Sequence, residues 1–589
     1  MVESDTHTEG RDGYDNLDGP KIDRRTTFKL LAMAGLPTAL AGCQGDSGNG
    51  TDDGSDDGEN GTSSGESGGE SKSGGELEIS MQKDQFDHLH PLLVDHSQAR
   101  AVVNNVRSTL LQINGDAEVV GDVASDWTYE GTSLEFDIRE DVIFHNGDQL
   151  TADDIVFSIE TLQGMEESPI VGQTSPIQSV EAPDDTTVSM ELDQPNAAIL
   201  AFLTTEGGVS STISKRALEE MGEDEYDRFP VSTGPYKITD RQQGVSLTLE
   251  KHEEYFEKDE NGTQLPYLDQ ITVNLIPEPS TAWSALNSGE VQYVETLPPE
   301  IASQAEDKGD IDVFPIHAGR WFSYYMLCND PADHPEAAEI AGGPGDYGDI
   351  WSGKEIHTTD KRVRKALSKA IDREELVKRA YQGWAKPAHS LWNPDLGWLY
   401  EEDPEPGQYY DPEEAERLLD EAGLTGDPRL SITAPALPER ERELTILEQQ
   451  FADVGVELEP VVLDPGSFWG RIYNFKDQFA GYLGTRDFDP YFSSYRQLNA
   501  PRMDDGVAKG IWNRGLFINE EFSSLIEESL QAVTQEKRKE TYEEAMEIFH
   551  EEVPMAMTVF PSTPRAKASN LKGVGMQVGL SNFHRAYLE

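Results

Sequence analysis

Apolar and polar residues alternate along "ELEISM" (76–81) and again along "SLEFDIRE" (133–140), where Leu134, Phe136 and Ile138 share one face. A period of two predicts a strand at each place. The pattern then changes. In "TADDIVFSIETL" (151–162) the apolar positions Ile155, Val156, Ile159 and Leu162 follow the 3.6-residue period of a helix. Thr151 stands where an N-cap belongs, with Asp153 and Asp154 in the first turn. Farther along, "DKRVRKALSKAIDREELVKRAYQGW" (360–384) reads as two helices. The first buries Val363, Ala366, Leu367 and Ala370. The second is capped by Asp372 with Glu375 three residues on, and stops before Gly383. "YDPEEAERLLDEAGL" (410–424) has Asp411 as N-cap, Pro412 at the first helical position, Glu414 at the third and Gly423 as its stop. "VELEPVVL" (456–463) is a strand, and helices run through 519–533 and 537–553 to Pro554. Strands and helices mix along the chain with no repeat of fixed period. The expected class is α/β with loop-rich additions.

The first 75 residues fit none of these patterns. Arg24 and Arg25 precede an apolar run of about ten residues, too short to span a bilayer, which takes ~20. Paired arginines ahead of such a run resemble a twin-arginine export signal, although Phe28 sits one place later than the usual pattern puts its large apolar residue. "LAGC" (40–43) resembles a lipobox, in which Cys43 becomes the lipidated mature N-terminus. Residues 44–75 are nearly all Gly, Ser, Asp and Glu, a composition that cannot bury enough surface to offset chain entropy. The expectation is a signal over 1–43 and a tether of ~30 Å reach over 44–75. The folded part then works outside the cell and close to its membrane.

Composition sharpens the setting. The 589 residues carry 111 acids against 47 bases, a net charge of −64, spread along the whole chain. That argues against nucleic acid or an anionic membrane surface as a partner. An even excess of acid suits molar salt, where the Debye length is ~3 Å and like charges barely repel. Such a protein is expected to fold poorly in low salt. With two cysteines, the fold rests on packing rather than disulfides.

No catalytic signature is present: no G-x-S-x-G, no H-E-x-x-H, no phosphate-binding loop and no dinucleotide fingerprint. His88 and His90 are two apart, but no third metal ligand is near and Pro91 follows, so they read as loop histidines. Asp487 and Asp489 invite an acid–base reading. Their i, i+2 spacing ahead of Pro490 reads more simply as turn-capping, with one aspartate free to anchor a ligand cation.

From "FHNGDQLTADDIVFS" (144–158) onward the chain resembles the extracellular solute-binding proteins of peptide-type ABC importers, family 5, which includes oligopeptide-, dipeptide- and nickel-binding proteins. The landmarks come in order: 123–162, "STGPYKI" (232–238), 265–295, 361–388, 410–424 and "YEEAMEIFHEEVPMAMTVF" (542–560). The resemblance covers nearly all of 76–589. It implies a two-lobed clamshell with two hinge crossings and an extra inserted domain. Domain I would be 76–118, 232–322 and 558–589, the inserted domain II 119–231, and domain III 323–557. The crossings would lie in 324–330, with Cys328 a buried free thiol, and in 555–561. In peptide-binding members an aspartate in a G-x-x-D-aromatic loop pairs with the peptide ammonium. Here that places Asp487, with Phe488 as the aromatic and Arg486 where a small residue is usual. Backbone groups of the first loop, around Phe86 to Pro91 with His90 within it, and of the 232–236 turn at Gly234 would line the cleft. The implied protein is a haloarchaeal-type lipoprotein, a monomer and not an enzyme, with no cofactor and no resident metal. It captures peptides and delivers them to a membrane permease. Nickel complexes or oligosaccharides are the alternative ligands within the family, and a secreted hydrolase or a sensory lipoprotein the alternatives outside it.

Overall fold

The computed structural model describes residues 21–23, 72–82, 86–94, 96–114, 117–303, 309–317, 319–343, 356–424, 428–484, 488–504, 507–532, 534–577 and 580–589. Cys43, Arg24, Arg25, Arg486 and Asp487 lie outside them. Three sheets organise the rest. A seven-stranded mixed sheet is centred on Glu76–Met81, which runs parallel to Gln270–Leu275 on one side and to Tyr293–Val294 on the other. Thr563–Ala568 and Ile311–Ile316 extend it at one end, Ser246–Lys251 and Tyr236–Gln242 at the other. A five-stranded antiparallel sheet holds Lys21–Asp23, Ala124–Glu130, Ser133–Ile138, Thr187–Leu192 and Ile177–Asp184. A six-stranded sheet holds Ala385–Pro387, Met555–Pro561, Trp321–Met326, Phe479–Gly484, Arg429–Pro435 and Glu457–Leu463.

Local chemistry explains the elements. Ser133–Ile138 buries every second residue, as its alternation requires. Helix Ala152–Gly164 begins with a capping box between Thr151 and Asp154 and buries Ile155, Ile159 and Leu162. Asp372 and Asp411 accept from the backbone N–H of Glu375 and Glu414, each closing the first turn of its helix. Gly423 takes φ +78° just beyond the second of these helices, a left-handed conformation that stops it without Cβ strain. Among the described residues no helix is long and apolar enough to cross a membrane.

The six-stranded sheet is covered on both faces. One face packs on the helices Lys361–Lys369, Pro412–Glu421 and Pro438–Asp453 through Phe322, Tyr324 and Phe479. The other packs on Leu391, Trp392, Phe522 and Tyr542 through Trp321 and Tyr325. Every residue of Trp321–Met326 is buried in consequence. The position of the crossings differs from the sequence-based expectation. Residues 324–326 and 555–561 are not passages between sheets, because both lie inside the six-stranded sheet and pair with each other. The chain passes between the seven- and six-stranded sheets after Ile316 and before Trp321, and again at Ser562. Cys328 follows its strand as a buried free thiol. Its Sγ donates to the Met326 carbonyl at 3.3 Å, and burial pushes its pKa up to about 11.

Candidate functional site

Strand directions bring two sheet edges together. In the seven-stranded sheet the C-terminal ends at Met81, Leu275, Val294 and Ile316 share one edge with the N-terminal end at Thr563. In the six-stranded sheet the C-terminal ends at Pro435, Gly484 and Pro561 share an edge with the N-terminal ends at Trp321 and Ala385. The two short passages join these edges, so they face one another across a cleft. The carboxyl ends of strands are where open α/β sheets leave room for a ligand.

One cavity lies in this cleft, and a second lies where the five-stranded lobe meets the large lobe. The first, of about 340 Å³, sits beside the passages and is walled by Gln82, Arg320, Phe322, Tyr381, Trp384 and Glu439, with Arg442 and Glu300 at its side. Its wall is built from within. Arg440 and Glu443 are one turn apart on helix Pro438–Asp453 and both are buried, with Nη1 donating to Oε2 at 2.7 Å. The Arg440 guanidinium lies 4.7 Å from the ring centroids of both Phe322 and Tyr324. Tyr381 donates its hydroxyl to Glu443 at 2.6 Å. This buried network fixes two of the aromatic rings that face the cavity. A Cβ on Gly481 would come within 2.6 Å of Arg440 Nη2, so the strand behind the network is glycine there. Across the cleft, Glu300 accepts from Gln382 Nε2 at 2.7 Å and lies 3.6 Å from Arg442.

The second cavity, of about 140 Å³, lies where the five-stranded lobe meets the large lobe. Trp127, Tyr129, Leu200, Trp398 and Phe488 line it, with Asp489 and Arg538 at one side. Phe202 packs edge-on against Tyr491 at 5.3 Å, and Ala197 N donates to Leu530 O at 2.6 Å, so the two lobes touch here. Asp489 is buried and held by Arg538 through two hydrogen bonds of 2.9 and 3.0 Å. It also accepts from Tyr491 N at 2.9 Å, the i→i+2 turn expected of an aspartate before Pro490. Three of its four lone-pair positions are so occupied, which ties this carboxylate to a structural role.

The sequence-predicted site residues separate into two groups. Phe488 lies at the cleft, just beyond the strand Phe479–Gly484, and lines the smaller cavity. Phe86, His90 and Gly234 line neither cavity. Phe86 is core, its carbonyl accepting from Arg241. His90 is buried against Tyr226, with Nδ1 accepting from Leu92 N at 3.1 Å and burial lowering its pKa to about 4. Gly234 meets the backbone of Val106 so closely that a Cβ would lie 2.4 Å from its carbonyl oxygen. Its own carbonyl accepts from His145 Nε2 and His252 Nδ1, each at 3.1 Å. The turn at 232–236 is thus a junction between lobes rather than a wall of either cavity. His88 pairs with Asp227 at 2.9 Å, and the other oxygen of that carboxylate accepts from the backbone N–H groups of Leu89 and His90 at 3.0 and 2.7 Å. Among the described residues no group of three His, Cys, Asp or Glu is placed to hold a metal ion. Arg320, Tyr381, Arg440 and Glu443 were not singled out from the sequence. The last two sit in "PERERELTILE", which reads as an exposed charged helix.

Comparison with known proteins agrees with this geometry. The chain is 24% identical over 512 residues to the dipeptide-binding protein of Escherichia coli K12, covering 81% of this chain and 87% of that protein. It is 26% identical over 560 residues to the oligopeptide-binding protein OppA of Bacillus subtilis 168, covering 88% and 94%. The Helicobacter pylori periplasmic binding protein DppA, solved with the peptide STSA, superposes with a TM-score of 0.65 at 23% identity, covering 88% of this chain and 98% of that one. Residues 118–504 match the family described as bacterial extracellular solute-binding proteins, family 5 Middle. With facing sheet edges, paired crossings and a match over most of its length, the chain belongs to the family 5 extracellular solute-binding proteins.

Proposed function

We propose that this protein captures short peptides between its lobes and delivers them, unaltered, to the permease of an ABC importer. The observation that carries the reading is the pair of facing sheet edges, joined by two short passages, with a cavity between them. Closure of such a cleft excludes water and strengthens every polar contact inside it. Asp487 is the proposed partner of the peptide ammonium and Phe488 its apolar neighbour, with Arg486 flanking them. Backbone pairing at the sheet edge would hold peptides of varied sequence. A hydrolase reading loses its second carboxylate, since Asp489 is committed to Arg538 and a turn. The test is a thermal-shift series in molar KCl with di- to hexapeptides. A peptide present at a hundred times its Kd adds ~2.7 kcal/mol to native stability, and Asp487→Asn is expected to weaken that shift. A panel that moves the melting temperature nowhere rejects the peptide reading.

The reading extends to the surroundings of the folded part. Arg24 and Arg25 direct export by the twin-arginine route, Cys43 carries the lipid, and 44–75 keep the monomeric protein near its permease on the outer face of the membrane. The acidic surface suits a high-salt exterior. Cys43→Ser is expected to shift the protein from the membrane fraction to the medium. Retention at the membrane would remove the anchor from the account.

A further inference from the structure

The residues just ahead of strand Glu76–Met81 are fixed to the fold, although their composition reads as tether. Gly74 N donates to the Tyr267 carbonyl at 2.7 Å. Gly75 N donates to Asp269 Oδ2 at 3.1 Å, and the Gly75 carbonyl accepts from Asp269 N at 2.9 Å. The two glycines take φ +99° and +106°, a range that a residue with a Cβ enters only under strain. Two places before them stands Lys72, the single base in 44–75. Its ammonium lies 5.7 Å from the ring centroid of Tyr267 and 5.1 Å from that of Tyr587. Both distances fall within the ~6 Å over which a ring face attracts a cation. The rings meet edge to face, 5.9 Å apart at 85°, and make two walls of one corner. Both walls are held from behind. Tyr267 is buried and donates its hydroxyl to Asp259 Oδ2 at 2.6 Å, and Tyr587 pairs with Lys572 in a two-stranded ladder.

We infer that Lys72 is a latch: its ammonium, seated against Tyr267 and Tyr587, clamps the exit of the tether to the lobe built on the seven-stranded sheet, on the side away from the cleft. The direction follows from the sheet. Strand Glu76–Met81 is six residues long and reaches the cleft edge at Met81. At ~3.3 Å per residue, the latch stands about 20 Å from that edge. Gln270, the partner of Glu76, begins its own strand at the same far edge. The groups that hold the latch all belong to this lobe. Tyr267 and Asp269 lead into strand Gln270–Leu275, and Tyr587 lies on the C-terminal segment that follows Thr563–Ala568. The tether is therefore fastened to one lobe, and closure moves the large lobe while the fastened one keeps its attachment. The latch stands on these contacts alone, and its bearing on the membrane rests on the lipid-anchor reading of Cys43.

The experiment is hydrogen exchange of the full chain in molar KCl, read at the Gly74 and Gly75 amides by mass spectrometry with backbone fragmentation. In Lys72→Gln both amides are expected to exchange about 5- to 30-fold faster, the change in local opening that loss of two exposed cation–π contacts brings. Lys72→Arg, which keeps a cation on a long stem, is expected to stay close to the unmodified protein. Tyr587→Leu should speed exchange in the same direction. Added to Lys72→Gln it should change almost nothing further, because the two groups act through one contact. Strand Ser133–Ile138, in a different sheet, should keep its protection in every variant and so reports that the fold is intact. Unchanged exchange at both glycines in Lys72→Gln overturns the latch. Effects of the two substitutions that add in full overturn it as well, as does Lys72→Arg exchanging as fast as Lys72→Gln. The anchor is decided separately by Cys43→Ser: retention of that variant at the membrane removes the membrane consequence and leaves the latch standing.

Discussion

Arg538→Met is expected to cost ~3–5 kcal/mol, because it leaves the buried Asp489 carboxylate without its cation. For a lobe of this size that lowers the melting temperature by roughly ten degrees. The effect reaches beyond stability. Asp489 follows Phe488 directly, so freeing it loosens the loop that carries the proposed peptide contacts. Arg538 also lies 5.5 Å from the Trp398 ring centroid, which its loss would unpack from the smaller cavity. The combined variant Arg538→Met, Asp489→Asn removes the stranded charge and should recover most of the lost stability, since neutral pairs tolerate burial far better than single charges. Denaturant unfolding of the single and double variants measures this coupling. Equal losses in both would show that the ion pair contributes nothing beyond packing.

What the sequence discloses, and what it hides, follows from how each feature is encoded. Caps are local, so Thr151, Asp372 and Asp411 announce their helices. The strand Ser133–Ile138 has one buried face, so its alternation is visible. Trp321–Met326 is buried on both faces and has no alternation to read. That is why the crossing was expected a few residues later than it occurs. Buried charges are harder still. Arg440 and Glu443 follow the same charged pattern as their exposed neighbours, and only the strands behind them make them interior. Arg320 lines the larger cavity only because the passage between the sheets carries it there, and nothing in its local sequence marks that. His90 and Gly234 look like loop residues in sequence. Their burial comes from Asp227, Tyr226 and Val106, all distant along the chain.

The junction below Gly234 and the nearby Asp122 give the protein opposing responses to pH, and one substitution should separate them. Burial pushes the Asp122 carboxyl up to about 8, with the charge of Glu257 adding to the shift, although Oδ2 still accepts from Thr109 N at 2.8 Å. A folded pKa above the unfolded one contributes stability that is full below about 3.8 and is lost as pH rises toward 8. His90 and His145 act the other way. Burial lowers them to about 4 and about 3, the nearby His252 adding to the shift at His145, and their neutral rings donate or accept within the fold. Stability held by neutral histidines is present above 6.5 and is lost as pH falls toward those values. Between pH 8 and 5 the two contributions partly cancel. Asp122→Asn keeps an acceptor for Thr109 N and removes the ionisation. It is expected to raise stability by a few kcal/mol at pH 8 and by only ~1–2 kcal/mol at pH 5. The variant's melting temperature should then fall more steeply with acid than that of the unmodified protein, and His145→Gln, which can still donate to the Gly234 carbonyl, should flatten the slope again. Parallel pH profiles for Asp122→Asn and the unmodified protein would show that Asp122 is ionised in the folded state after all.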